Sequence, residues 1–129
     1  MLKALIVDDS KFMRAIIKSA FQGENIEIVA EADNGFDGIA AYKEYKPDFV
    51  TMDITMGGKD GMKAVSEILA FDPSAKIIVI SALSEHTIRL NAPEKYAAAY
   101  LMKPFQKEQL IETIRKILGS DCIKLLKKS

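Results

Sequence analysis

The 129-residue chain (14.3 kDa) fits one domain of ordinary size, and a hydrophobic content of 49% supports a real core and excludes disorder. Eighteen Lys and Arg balance 18 Asp and Glu, which argues against a broad electrostatic grip on nucleic acid or an anionic membrane. The one cysteine, Cys122, can form neither an internal disulfide nor a metal cluster, as suits a reducing cytosol. The longest uninterrupted apolar run, Tyr96 to Met102, is far short of the roughly 20 residues needed to cross a bilayer. Asp8 and Asp9 break the N-terminal apolar stretch too early for a signal peptide. The expectation is a soluble, cytoplasmic, single-domain protein.

Short apolar runs alternate with helical patterns along the chain. Ala4–Val7 reads as a strand, followed by a helix with Met13, Ile17, Ala20 and Phe21 on one face. Ile26–Ala30 is a second strand, and Asn34-Gly35 and Lys46-Pro47-Asp48 are turn signals. A third strand, Phe49–Met52, leads to a helix bearing Met62, Val65 and Leu69; Asp72-Pro73-Ser74 then turns the chain into a fourth strand, Ile77–Ile80. The segment Ser84 to Asn91 is the weakest helical pattern, with only Ile88 and Leu90 as large apolar residues before Pro93. Ala97–Met102 is a fifth strand, and Leu110, Ile114, Ile117 and Leu118 line a last helix that stops at Gly119. The strands are near-continuous rather than alternating, as expected when helices cover both faces of a parallel sheet. Residues 1–118 form the domain, and 119–129 a C-terminal tail or linker stub.

Reactive side chains sit where the strands end. The first strand runs into Asp8-Asp9-Ser10, the third into Asp53, the fourth into Ser81 and the fifth into Lys103-Pro104. Open α/β sheets bind ligands outside the carboxyl ends of their strands, at a switch point in strand order. If the five strands are ordered 2-1-3-4-5, the switch point would bring Asp8, Asp9 and Asp53 together beside Ser81 and Lys103, while the edge position of strand 2 would leave Glu31 and Asp33 aside. Carboxylates this close repel by about 4 kcal/mol per pair at about 4 Å and an effective dielectric of about 20. Magnesium relieves that repulsion, because it prefers hard oxygen ligands and is commonly held by one or two carboxylates plus phosphate oxygens. An aspartate beside magnesium and a lysine suits attack on phosphorus. Taken singly, each residue has an ordinary reading: helix caps for Asp8, Asp9, Ser10 and Ser81, a loop cap for Asp53, a solvated turn lysine for Lys103.

Five segments together resemble the response-regulator receiver family, of the CheY type: Leu5-Ile6-Val7-Asp8-Asp9-Ser10, Val50-Thr51-Met52-Asp53-Ile54, Asp60-Gly61, Ile80-Ser81-Ala82 and Tyr100-Leu101-Met102-Lys103-Pro104-Phe105. The resemblance spans about residues 2 to 118. It implies a flavodoxin-like, doubly wound α/β fold with the 2-1-3-4-5 strand order and helices on both faces. It further implies a phosphorylation-dependent switch of a two-component system, such as chemotaxis, rather than a turnover enzyme. Asp53 would take a phosphoryl group from a sensor histidine kinase or phosphotransfer protein. Asp9, Asp53 and the backbone carbonyl of Thr55 would ligate Mg2+, with Asp8 acting mainly through a bound water. Lys103 would meet the phosphoryl oxygens, Ser81 and Tyr100 would be the switch pair, and the Lys103–Pro104 bond would be cis. A downstream protein target would bind the face made by the fourth helical segment, the fifth strand and the last helix.

The chain departs from the family's usual pattern in two places. Gly57-Gly58 stands where a proline often follows the phosphoacceptor, which predicts a looser loop and weaker pre-organisation of the Thr55 carbonyl. Tyr96-Ala97 replaces a Gly-Ala pair before the fifth strand, next to Pro93. Lys59 and His86 read as solvated surface residues, and Met13, Met52, Met56 and Met62 as core filler. The competing reading is a magnesium-dependent phosphohydrolase working through an aspartyl phosphate. Such enzymes carry Asp-x-Asp after the first strand, whereas here the acids are adjacent and the candidate nucleophile follows the third.

Overall fold

A computed structural model of the chain describes residues 1–54, 60–82 and 97–119. Five strands, β1 (Leu2–Val7), β2 (Ile26–Ala32), β3 (Phe49–Asp53), β4 (Ile77–Ser81) and β5 (Ala99–Met102), form one parallel sheet in the order β2-β1-β3-β4-β5. The helices among the described residues are α1 (Lys11–Phe21), α2 (Gly35–Tyr45), α3 (Asp60–Phe71) and α4 (Lys107–Leu118). The expected helix over Ser84–Asn91 lies outside the described residues, as do Pro93, Tyr96, Thr55, Met56, Gly57-Gly58, Lys59, His86, Cys122 and the tail beyond Gly119.

Strand alternation divides the core into two layers. Leu5 and Val7 of β1, Val50 and Met52 of β3, and Ile77 and Val79 of β4 pack against Tyr42 of α2 and Ala64, Val65 and Ile68 of α3. Ala4 and Ile6, Phe49, Ile78 and Ile80 point the other way, against Ile17, Ala20 and Phe21 of α1 and Leu110, Ile111 and Ile114 of α4. The central strands β3 and β4 are buried along their whole length, which explains their uninterrupted apolar sequences. The helix faces read from periodicity are the faces that pack: Met13 joins Ile17, Ala20 and Phe21, and Ile117 and Leu118 extend Leu110 and Ile114.

Local chemistry refines several boundaries. β1 starts at Leu2 because its exposed Lys3 is tied to the β3 approach: its amide donates to Asp48 Oδ2 at 2.7 Å and its carbonyl accepts from the Asp48 amide at 2.8 Å. β5 begins at Ala99 rather than Ala97, since the Ala97 amide donates to the Tyr100 hydroxyl at 3.3 Å instead of entering the ladder. Asn34-Gly35, read as a turn, is the start of α2, with Asn34 Oδ1 accepting from the Asp37 amide at 2.8 Å. Lys46 ends that helix in the left-handed conformation (φ 45°), as the turn signal there requires. Gly119 at φ 84° stops α4 as expected.

Candidate functional site

The site is built on the carboxyl ends of β1, β3, β4 and β5, where the switch in strand order opens a crevice. Asp8 follows β1 and is fixed at both ends. Its amide donates to the Ala32 carbonyl at 3.0 Å, and its Oδ1 accepts from the Ser10 amide at 2.8 Å. Ser10 in turn caps α1, its hydroxyl oxygen accepting from the Met13 amide at 3.1 Å. The cap expected from Asp8-Asp9-Ser10 is therefore Ser10 alone, which leaves both acids for the crevice. Asp53 is the last residue of β3, and Asp8 and Asp53 are only 1% and 3% exposed. Asp9, beside them, is exposed.

Lys103 reaches the crevice from the far side. Its amide donates to the Ser81 carbonyl at 2.7 Å, joining the ends of β4 and β5, and the Lys103–Pro104 peptide bond is cis. Its Nζ stands 3.6 Å from Asp8 Oδ2 and 3.5 Å from Asp53 Oδ2. Ser81, fully buried, ends β4. Tyr100 lies half-buried on β5 against the layer formed by α2 and α3.

One carboxylate oxygen each from Asp8, Asp9 and Asp53 lies within 4.8 Å of the others. Burial pushes the Asp8 carboxyl above its ordinary value; the Ser10 hydrogen bond opposes this, the Asp53 charge adds to it, Lys103 offsets part, and Asp9 adds a little more. Asp8 Oδ2 is buried and accepts no hydrogen bond among the described residues. A buried, unsatisfied carboxylate oxygen is costly unless a cation completes it. Three hard oxygen donors around one point, one of them open to solvent, fit Mg2+, which retains several waters. Of the residues expected in the site, the fold brings together Asp8, Asp9, Asp53, Ser81 and Lys103. Thr55 lies outside the described residues.

Two further residues also shape the crevice: Arg14, which sequence reasoning passed over, and Gly61, marked there only by the resemblance. Arg14, on the first turns of α1, donates from Nη1 to the Asp8 carbonyl at 2.7 Å and from Nε to Glu31 Oε1 at 3.1 Å. No local pattern marks this contact, because its two partners lie six residues before Arg14 and 17 after it. Gly61, in the first turn of α3, lies so close to β3 that an added Cβ would fall within 2.6 Å of the Asp53 carbonyl oxygen and against the Ile54 backbone. Its signal was the Asp60-Gly61 pair already singled out by resemblance.

Comparison with known proteins agrees with this fold. The family model for the response regulator receiver domain matches residues 4–115. The chain is 46% identical to the chemotaxis protein CheY of Listeria monocytogenes over 116 residues, which cover 90% of this chain and 98% of that one. It is 43% identical to CheY of Bacillus subtilis over 117 residues, 91% and 98% of the two chains. Among solved structures, a chain of the CheX–CheY–BeF3–Mg2+ complex of Borrelia burgdorferi superposes with a TM-score of 0.85 at 30% identity, covering 92% of this chain and 90% of that one. With nearly the whole chain matched, this protein belongs to the response-regulator receiver family, the signalling switches of two-component systems.

Proposed function

We propose that Asp53 is the phosphoacceptor of this switch and that Asp8, Asp9 and Asp53, with the Thr55 carbonyl, hold Mg2+. The observation that carries the reading is the buried pair Asp8 and Asp53 facing Lys103 at 3.6 and 3.5 Å, with Asp9 completing a triad within 4.8 Å. Bound Mg2+ would supply charge neutralisation for the phosphoryl oxygens. The remaining work falls to the chain's own groups. An Asp53 carboxylate oxygen attacks the phosphorus of a phosphohistidine; the new P–O bond forms as the P–N bond breaks, and the freed imidazole keeps the electron pair and takes up a proton. Lys103, within ion-pair reach of Asp8 and Asp53, meets the transferred oxygens as a point charge. The Ser81 hydroxyl donates a hydrogen bond to the phosphoryl group, and the Tyr100 ring follows it inward.

The donor is a sensor histidine kinase or phosphotransfer protein, and the output is a downstream protein target on the face that includes β5 and α4. The CheY relatives favour a chemotaxis pathway in the cytoplasm. Residues 1–118 act as the receiver and 119–129 as a tail or linker. The protein turns over no separate substrate, assisting only its own phosphorylation and dephosphorylation. The phosphohydrolase reading is disfavoured, because the candidate nucleophile ends β3 rather than β1. Incubation with Mg2+ and acetyl phosphate, followed by intact mass measurement, should show one added phosphoryl group that is lost in Asp53→Asn. An unmodified wild-type protein under saturating conditions would refute the reading.

A further inference from the structure

The geometry points to Arg14 as a positioning residue for the Mg2+ site, acting through the Asp8 backbone and held in place by Glu31; the inference rests on the metal site proposed above. The guanidinium spans two elements. Nη1 donates to the Asp8 carbonyl at 2.7 Å, and Nε donates to Glu31 Oε1 at 3.1 Å. Glu31 is anchored in its turn, because Lys18 Nζ stands 3.0 Å from its second oxygen. That pairing, with Lys18 foremost and Arg14 after it, holds the Glu31 carboxyl below its ordinary value, so it stays charged. Arg14 is largely covered, with 17% of its side chain exposed, while its partner Glu31 stands at the surface.

The Asp8 carbonyl belongs to the peptide unit joining Asp8 to Asp9. Fixing that oxygen fixes the direction in which both carboxylates leave the end of β1. Among the described residues, this turn is also held by the Asp8 amide bonded to Ala32 and the Ser10 amide bonded to Asp8 Oδ1. The Ser10 bond closes a ring through the Asp8–Asp9 peptide and so orients it in part, and Arg14 adds a direct hold on the carbonyl oxygen of that peptide. The strand-edge acid Glu31 thus contributes to the site from outside it.

The sign of the effect separates positioning from charge. Arg14 is a cation near a cation site, so simple Coulomb repulsion predicts that removing its charge tightens Mg2+ binding. Positioning predicts the reverse. It also predicts that lysine fails, since a single ammonium on a flexible stem cannot hold both acceptors as a planar fork does. Groups that orient metal ligands typically change affinity by about 10- to 100-fold when removed. Because Arg14 acts through the backbone, about tenfold is expected.

The test is the Mg2+ dissociation constant of the full chain, measured by titration calorimetry for wild type, Arg14→Lys and Arg14→Met, with no phosphodonor present. Both variants should bind about tenfold more weakly. In the metal-free protein, the Asp9 amide nitrogen resonance should move upfield in both, as the preceding carbonyl loses its donor. Arg14→Lys retains the charge and the aliphatic stem, so it remains informative if Arg14→Met folds poorly. Binding within about twofold of wild type in Arg14→Lys, or tighter binding in Arg14→Met, would overturn the inference. Absence of Mg2+ binding in wild type would instead overturn the metal site itself.

Discussion

Replacing Asp8 by asparagine should stabilise the metal-free protein while weakening its response to Mg2+. The three carboxylate oxygens lie within 4.8 Å of one another. At an effective dielectric of about 20, each pair repels by at least about 3.5 kcal/mol, so Asp8 faces about 7 kcal/mol from its two neighbours. Lys103 Nζ at 3.6 Å returns about 4.6 kcal/mol. The residue, about 2 kcal/mol, adds to the cost of burying a carboxylate whose Oδ2 accepts no hydrogen bond among the described residues. Solvent around the exposed Asp9 trims the repulsion. A net gain of about 1–3 kcal/mol is therefore expected for Asp8→Asn, which keeps the oxygen that accepts from Ser10. In chelator at neutral pH, the urea midpoint should rise by roughly 0.5–1.5 M. The pH dependence has a fixed sign. The Asp8 carboxyl is raised above 3.8 in the fold, so the wild type's penalty is fully present above that raised value and vanishes as pH falls toward 3.8. The advantage of the variant should shrink over the same window. With Mg2+ added, the wild-type midpoint should climb more than that of the variant. A metal-free Asp8→Asn protein no more stable than wild type would refute the reasoning.

Two further predictions concern a support of the site and the packing of α2 on α3. Gly61→Ala would force a Cβ into the backbone that follows Asp53; the resulting strain, typically 1–3 kcal/mol, outweighs the helix-propensity gain of up to about 1 kcal/mol and should slow acetyl-phosphate labelling along with lowering the urea midpoint. Tyr42→Phe removes a 2.7 Å hydrogen bond from a buried hydroxyl to Asp72 and should cost about 1–2 kcal/mol at neutral pH. That bond, with those from Ser74, holds the Asp72 carboxyl below 3.8. Its charge-assisted part is present above 3.8 and is lost as pH falls through the lower folded value, so the gap between variant and wild type should narrow in acid-unfolding curves below about pH 4.

What was legible in the sequence follows from the range of the interactions involved. Strands β3 and β4 were plain because burial on both faces leaves them uninterrupted. The ends of β1 and β5 were not. Lys3 belongs to β1 through a paired contact with the carboxylate and the amide of Asp48, 45 residues away. Ala97 and Ala98 carry little strand preference of their own, and a tyrosine hydroxyl takes the Ala97 amide. Asn34-Gly35 carries the same residues whether it makes a turn or starts a helix, and only the Asp37 amide decides. The acids and the lysine of the site could be placed from the strand ends together with the strand order that the family resemblance implies, since a parallel sheet collects those ends along one edge. Arg14 could not, because a residue that grips a carbonyl leaves no trace in the identity of the residue it grips. Glu31 was set aside with its edge strand, yet it anchors that arginine.

The most direct measurement is to trap the acyl phosphate chemically. Treating the Mg2+- and acetyl-phosphate-labelled protein with borohydride converts an aspartyl phosphate to homoserine, which peptide mass spectrometry then locates. Homoserine is expected at position 53 alone, and only when Mg2+ is present. Homoserine at position 8 or 9, or equal labelling at 53 with the metal chelated, would contradict this.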